Sequence, residues 1–126
     1  MRAIDTNVLV RLVMRDDEKQ VETAEAFVEK GVWASHLVLA EMSWVLDAVY
    51  ELDHAAIAGA IGMLLNHRSL TLQDADVVAR ALDHYRREPK VGFSDCLVLE
   101  IARKAGHLPL GTFDKDLSNF EGAARL

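Results

Sequence analysis

The sequence predicts an α/β fold, a three-layer α/β/α sandwich on a short parallel sheet. Short apolar runs of strand length alternate with amphipathic helical segments, so consecutive strands need crossover connections, which parallel pairing requires. At 126 residues the chain is expected to form one domain over residues 1–126. Hydrophobic residues make up 51% and charged residues 27%, which supports a sizeable core and excludes a disordered or coiled-coil chain.

The first strand is read from Met1-Arg-Ala-Ile-Asp5, an apolar run that ends on an acid. Asp5-Thr6-Asn7 makes a turn, and Val8 to Met14 continues as a short helix. Asp16-Asp17-Glu18 place negative charge where a helix amino terminus favours it, and Val21, Ala24, Phe27 and Val28 follow at helical spacing until Gly31. Val32-Trp33-Ala34 is the second strand. Ser35 then caps a long helix expected to turn Leu37, Trp44, Val45 and Ala48 toward the core.

Asp53 caps the next helix, which carries Ile57, Ile61, Leu64 and Leu65, and Ser69 to Leu72 alternates like a strand. Asp74 opens a helix through Tyr85 that stops at Glu88-Pro89, because the residue before proline is driven out of the helical region. A basic link, Arg86 to Gly92, leads to a helix from about Ser94 to Lys104. Gly106 closes it, Leu108 to Gly111 reads as a strand, Thr112 to Asp116 as a loop, and Ala123 to Leu126 as a last strand.

Several classes are set aside. The longest nearly uncharged stretch, Val32 to Val49, holds Glu41 and Asp47 and has helical periodicity, which argues against a membrane span. The amino terminus has no basic region followed by an apolar one, so a cytoplasmic location is expected. The one cysteine, Cys96, excludes an internal disulfide framework and reads as a small core residue. His36, His54, His67, His84 and His107 form no metal-binding spacing and are expected at the surface, with His36 alone near the site.

In open parallel sheets the ligand crevice lies beyond the carboxyl ends of the strands. Asp5 and Asp114 both occupy such ends. Asp95 lies in the first turn of its helix, sharing a side with Val98 and Ala102, and Glu41 falls on the stripe of Leu37, Trp44 and Val45. Four carboxylates from four elements are thus expected at one edge of the sheet, where mutual repulsion calls for a cation. Thr6, Asn7, Ser35 and Thr112 add neutral hydrogen-bonding groups beside them. Each also has a local reading: Asp5 as a turn former, Asp95, Asp114 and Ser35 as cap or loop residues, Glu41 at a stripe margin. An all-oxygen cluster suits Mg²⁺ or Mn²⁺ and not zinc. Such an ion activates water for in-line attack and screens developing charge, which fits phosphodiester hydrolysis.

The motifs Asp5-Thr6-Asn7-Val8-Leu9, Ser35 with Glu41, Phe93-Ser94-Asp95-Cys96 and Thr112-Phe113-Asp114-Lys115-Asp116 resemble those of the PIN-domain ribonucleases. Their order and the small size are most similar to the VapC-type toxins of toxin–antitoxin pairs. The resemblance implies a PIN-like, Rossmann-like fold and a Mg²⁺- or Mn²⁺-dependent endoribonuclease with Asp5, Glu41, Asp95 and Asp114 as catalytic and metal-binding acids. Asn7, Thr6 and Thr112 match supporting positions, and Asp116 a variable further acid. It also implies a homodimer inhibited by a cognate antitoxin.

RNA contacts are expected from Arg11, Arg15, Arg86, Arg87, Lys90 and Lys115 around the crevice. Two other readings are open. A haloacid-dehalogenase-type phosphatase would use Asp5 as nucleophile, but it usually has a second Asp where Asn7 stands. A non-catalytic RNA- or partner-binding module would use the acids only as caps. The formal charge of −6, from twenty acids and fourteen bases, does not exclude a polyanionic partner. With the four site acids set aside, sixteen acids face fourteen bases, a balance of −2; one divalent ion bound at those acids would bring the whole protein from −6 to −4, and two to −2.

Overall fold

The computed structural model describes all 126 residues. In chain order it has β1 (Arg2–Ala3), α1 (Thr6–Met14), α2 (Glu18–Val28), β2 (Val32–Ala34), α3 (His36–Ala48), α4 (His54–Leu65), β3 (Leu70–Leu72), α5 (Ala75–Arg87), α6 (Phe93–Ala105), β4 (Leu110–Thr112), a 3₁₀ turn (Leu117–Asn119) and β5 (Ala123–Arg125). The α/β class and the alternation of elements are as expected. Asp5, Asp17, Ser35 and Asp53 each accept a hydrogen bond from a backbone N–H three residues on, satisfying one of the donors left free at a helix start. Asp74 departs from this pattern. It sits in the left-handed region (φ 42°) without capping α5, and its carboxylate binds Lys104 at 3.2 Å.

The strands pair in parallel as β1-β2-β3, with Ala3 beside Trp33, Val32 beside Leu70 and Ala34 beside Leu72. β4 and β5 form a second parallel pair, where one continuous sheet was expected. No strand exceeds three residues, so each ladder holds few bonds, and helix packing ties the layers together. Val32, Ala34, Leu70 and Leu72 belong to the buried core with Leu9, Leu39, Leu46, Ile61, Leu64 and Leu99.

The expected orientation of α3 is wrong. Leu37 and Trp44 are about two-thirds exposed (68% and 67%), and the face in the core is Leu39, Met42, Ser43 and Leu46. Both faces of this helix are largely apolar, so periodicity alone does not choose between them; packing against α1 and α6 does. Glu41 therefore lies on an exposed stripe.

The histidines also correct the expectation of surface positions. His36, His54, His67 and His84 are half-buried and only His107 is exposed. The His54 ring lies 4.2 Å from that of Tyr85, and the His84 ring 4.7 Å from that of Phe120, because an imidazole presents apolar faces that stack on aromatics. His84 also meets Glu100, which is 2% exposed and fully inside the α5–α6 packing. Cys96 is a core residue as expected: it is wholly buried, and burial first, then the Asp95 charge, pushes its thiol up to about 12. No helix is long and apolar enough to cross a membrane.

Candidate functional site

Asp5 follows β1 and caps α1, its Oδ1 accepting from Val8 N–H at 3.2 Å. The side chain is exposed, and that bond engages one of its two oxygens. Thr6, in the first turn of α1, donates its hydroxyl to Glu41 Oε2 at 2.7 Å. This bond joins positions 35 residues apart in sequence and fixes an otherwise free Glu beside the strand end. α1 and α3 pack against each other, which is what brings the two side chains within reach. Asn7 is exposed one residue further on.

Asp95 enters from the first turn of α6 and is half-buried. Burial raises its pKa above the ordinary carboxylate range, and the negative charge of Asp114 raises it further. Asp114 is held by its own loop. Its N–H donates to Thr112 Oγ1 at 3.0 Å, and its Oδ1 accepts from the N–H groups of Asp116 (2.8 Å) and Leu117 (3.1 Å). Thr112 thus shapes the loop that presents Asp114, whereas the Asp116 carboxylate makes no hydrogen bond within the protein and stays half-buried beside it. The Ser35 hydroxyl accepts from Val38 N–H at 3.2 Å, so it serves as the cap of α3.

The fold therefore bonds Thr6, the neighbour of Asp5, to Glu41, and leaves Asp95 within electrostatic reach of Asp114. It gathers no group of three or more His, Cys, Asp or Glu side chains that could hold a metal ion. The donor chemistry still fits a hard cation. Mg²⁺ is commonly held by one or two carboxylates with water completing its shell, and the Asp95–Asp114 pair supplies that number. Burial is the larger cause of the raised proton affinity of Asp95; the Asp114 charge adds to it, and a cation would relieve that second part.

The family model of the PIN domain matches residues 3–123. The chain belongs to the PIN-domain family. Among solved structures, Mycobacterium tuberculosis VapC20, described as a sarcin–ricin-loop-cleaving toxin, is similar to this PIN domain at 21% identity, over 94% of this chain and 93% of that one, with a TM-score of 0.44. No curated protein matches the chain.

The basic residues of this PIN domain fall into two groups. Arg11 is engaged internally, with Gln20 (2.6 Å), Asp16 (3.0 Å) and the Tyr50 hydroxyl (3.0 Å), and Arg15 pairs with Glu25. Arg87 donates only to the Asp83 carbonyl, and Lys90 and Lys115 form no ion pair. An open groove of about 880 Å³ runs beside Asp5 and Asn7, with Arg11, Lys19, Thr23 and Phe27 among its walls.

Two polar assemblies lie outside what the sequence suggested. Gln73, after β3, accepts from His36 N–H at 2.9 Å and so ties the end of that strand to the start of α3. Glu100 accepts from Arg103 Nε at 3.1 and 3.2 Å and meets His84 Nε2 at 2.9 Å. Its spacing of four residues from Cys96 and seven from Phe93, both buried, is the signal that places it on the inner face of α6.

Proposed function

We propose that this PIN domain, spanning residues 1–126, is a Mg²⁺- or Mn²⁺-dependent endoribonuclease and the toxin of a toxin–antitoxin pair. The observation that carries the reading is the match of residues 3–123 to this family, in which half-buried Asp95 feels the charge of Asp114. Two acids brought from separate elements to one place carry a cost unless a cation or its equivalent offsets it. Asp95 and Asp114 hold the ion, with Asp5 and Glu41 completing the acidic edge and Asp116 as a further acid. When bound, the ion supplies activation of water near neutral pH and screening of the phosphodiester charge.

The other residues position and bind. Thr6 fixes the Glu41 rotamer, Thr112 shapes the Asp114 loop, Asn7 offers an uncharged donor and acceptor beside Asp5, and Ser35 keeps α3 anchored. Lys90, Lys115 and Arg87 take RNA phosphates. Arg11 and Arg15 add little to this attraction, because Asp16 and Glu25 pair with them. The exposed side chains of Leu37 and Trp44 on one face of α3 suit a protein partner, an antitoxin or a second copy in a homodimer. The proposed location is the cytoplasm.

The test is cleavage of a total RNA pool with Mg²⁺, Mn²⁺ or EDTA by the parent protein and by Asp95→Asn. The expected result is cleavage with either metal and none with EDTA or the variant. Equal cleavage by Asp95→Asn, or activity that persists in EDTA, would refute the reading.

A further inference from the structure

Phe113 is 80% exposed, and among large apolar side chains only Met1 is more so, at 83%. A lone exposed apolar residue is ordinary in itself. The position of this one is not, because it directly precedes Asp114 in a loop braced at several points. Besides the bonds already described around Asp114, Ser118 N–H donates to the Asp114 carbonyl at 3.0 Å, the Ser118 hydroxyl donates to the Lys115 carbonyl at 2.6 Å, and Leu117 anchors the loop in the core at 4% exposure. The ring takes part in none of the aromatic or cation–π contacts of the protein. Lys115, on the other side of Asp114, is exposed and free of ion pairs.

Three consecutive residues therefore offer a bare π face, a carboxylate and an unpaired ammonium, on a backbone already ordered. A nucleotide strand offers the matching sequence of a base face and charged phosphates. We propose that Phe113 stacks on the base next to the cleaved phosphate while Lys115 takes a neighbouring phosphate, so that the loop positions RNA at Asp114. This role rests on the nuclease reading above. Stacking accepts any base, since every base has a π face, but it requires an unpaired one; a duplex covers its base faces. Phe113 thus selects for unpaired nucleotides without reading sequence, and it is a positioning residue rather than one that carries the chemistry.

The experiment is steady-state cleavage of a single-stranded oligoribonucleotide pool with Mg²⁺ or Mn²⁺ by the parent, Phe113→Ala, Phe113→Leu and Phe113→Trp, with Asp95→Asn as the inactive control. Phe113→Ala is expected to raise KM by about five- to a hundredfold with kcat nearly unchanged. Phe113→Leu should behave like Ala, and Phe113→Trp like the parent. Thermal melting should be the same for all, since the ring is exposed. If Phe113→Ala keeps the parent KM, or Phe113→Leu does, the stacking role is overturned while the nuclease reading stands. A raised KM accompanied by a changed oligomeric state on gel filtration assigns the ring to a protein contact and also overturns it. A parent that cleaves no more than Asp95→Asn brings down the nuclease reading, and this role with it.

Discussion

Asp5 has two jobs that substitution separates. It caps α1 through one oxygen, and in the proposed site its charge serves the cation. Asn preserves the capping acceptor and removes the charge; Ala removes both. Loss of an N-cap typically costs about 0.5–2 kcal/mol, and the 3.2 Å bond from an exposed side chain puts Asp5→Ala in the lower half, about 0.5–1 kcal/mol. Asp5→Asn forfeits only the attraction of the charge to the helix terminus, about 0.3–0.5 kcal/mol at such a surface. For 126 residues the unfolding entropy is about 0.26 kcal/mol per degree, so Ala should lower Tm by about 2–4 °C and Asn by no more than about 2 °C. Thermal unfolding followed by circular dichroism measures the first effect, and metal-dependent RNA cleavage the second. Both variants should lose cleavage by at least about a hundredfold, in contrast to their unequal stabilities. If Asp5→Asn cleaved RNA at the parent rate, Asp5 would be a cap alone.

Removing the Thr6 hydroxyl frees Glu41, so Thr6→Val should lower kcat/KM by about tenfold, equivalent to 1.4 kcal/mol, with Thr6→Ser close to the parent; equal rates for Val and Ser would count against the bond. Because burial and Asp114 raise Asp95 in the folded state, the native protein holds a proton there that the unfolded chain releases, and stability falls as pH rises from the ordinary Asp range through the raised value. In EDTA, Asp95→Asn should therefore be more stable than the parent above that window and lose its advantage below it, as measured by urea unfolding across pH; a pH-independent difference contradicts the assignment. Glu100→Ala leaves Arg103 and His84 facing a buried gap and should destabilise by about 3 kcal/mol in urea unfolding, and a loss under 1 kcal/mol would show that the cluster contributes little.

Much of the element order is legible in the sequence because caps and breakers are local. Asp17, Ser35, Asp53, Gly106 and Pro89 mark their boundaries whatever surrounds them. Orientation is another matter. In α3 the residues Leu37, Leu39, Met42, Trp44 and Leu46 leave no polar face, so only contact with α1 and α6 decides that Trp44 stays outside. The sequence places Glu41 only on an apolar stripe expected to face the core; what fixes the side chain is Thr6, a contact across 35 residues that no spacing rule contains. In α6 the reverse occurs. Val98, at 47% exposure, marks the outer side, while the charged Glu100 lies inside because His84 and Arg103, both from the same helix pair, satisfy its oxygens. Partner availability outranks residue polarity there. The split between the two small sheets was equally hidden, since strands of two or three residues carry no signal of which neighbour they will choose.

That split bears on how the proposed site comes apart. β4, β5 and the turn between them pack chiefly on one another, joined to the rest through the Arg103 bond to the Glu121 carbonyl at 2.6 Å, the Phe120 ring against His84, and buried Leu117. Asp114 travels with this small unit, whereas Asp5, Glu41 and Asp95 belong to the larger one. Regions with few links to the core open with less free energy than global unfolding requires. Residues 110–125 are therefore expected to open at lower free energy than the helices, separating Asp114 from Asp95 before the chain unfolds as a whole. Amide exchange in the Asp114 loop, faster than in the helices, would report that local opening, which whole-chain melting does not see.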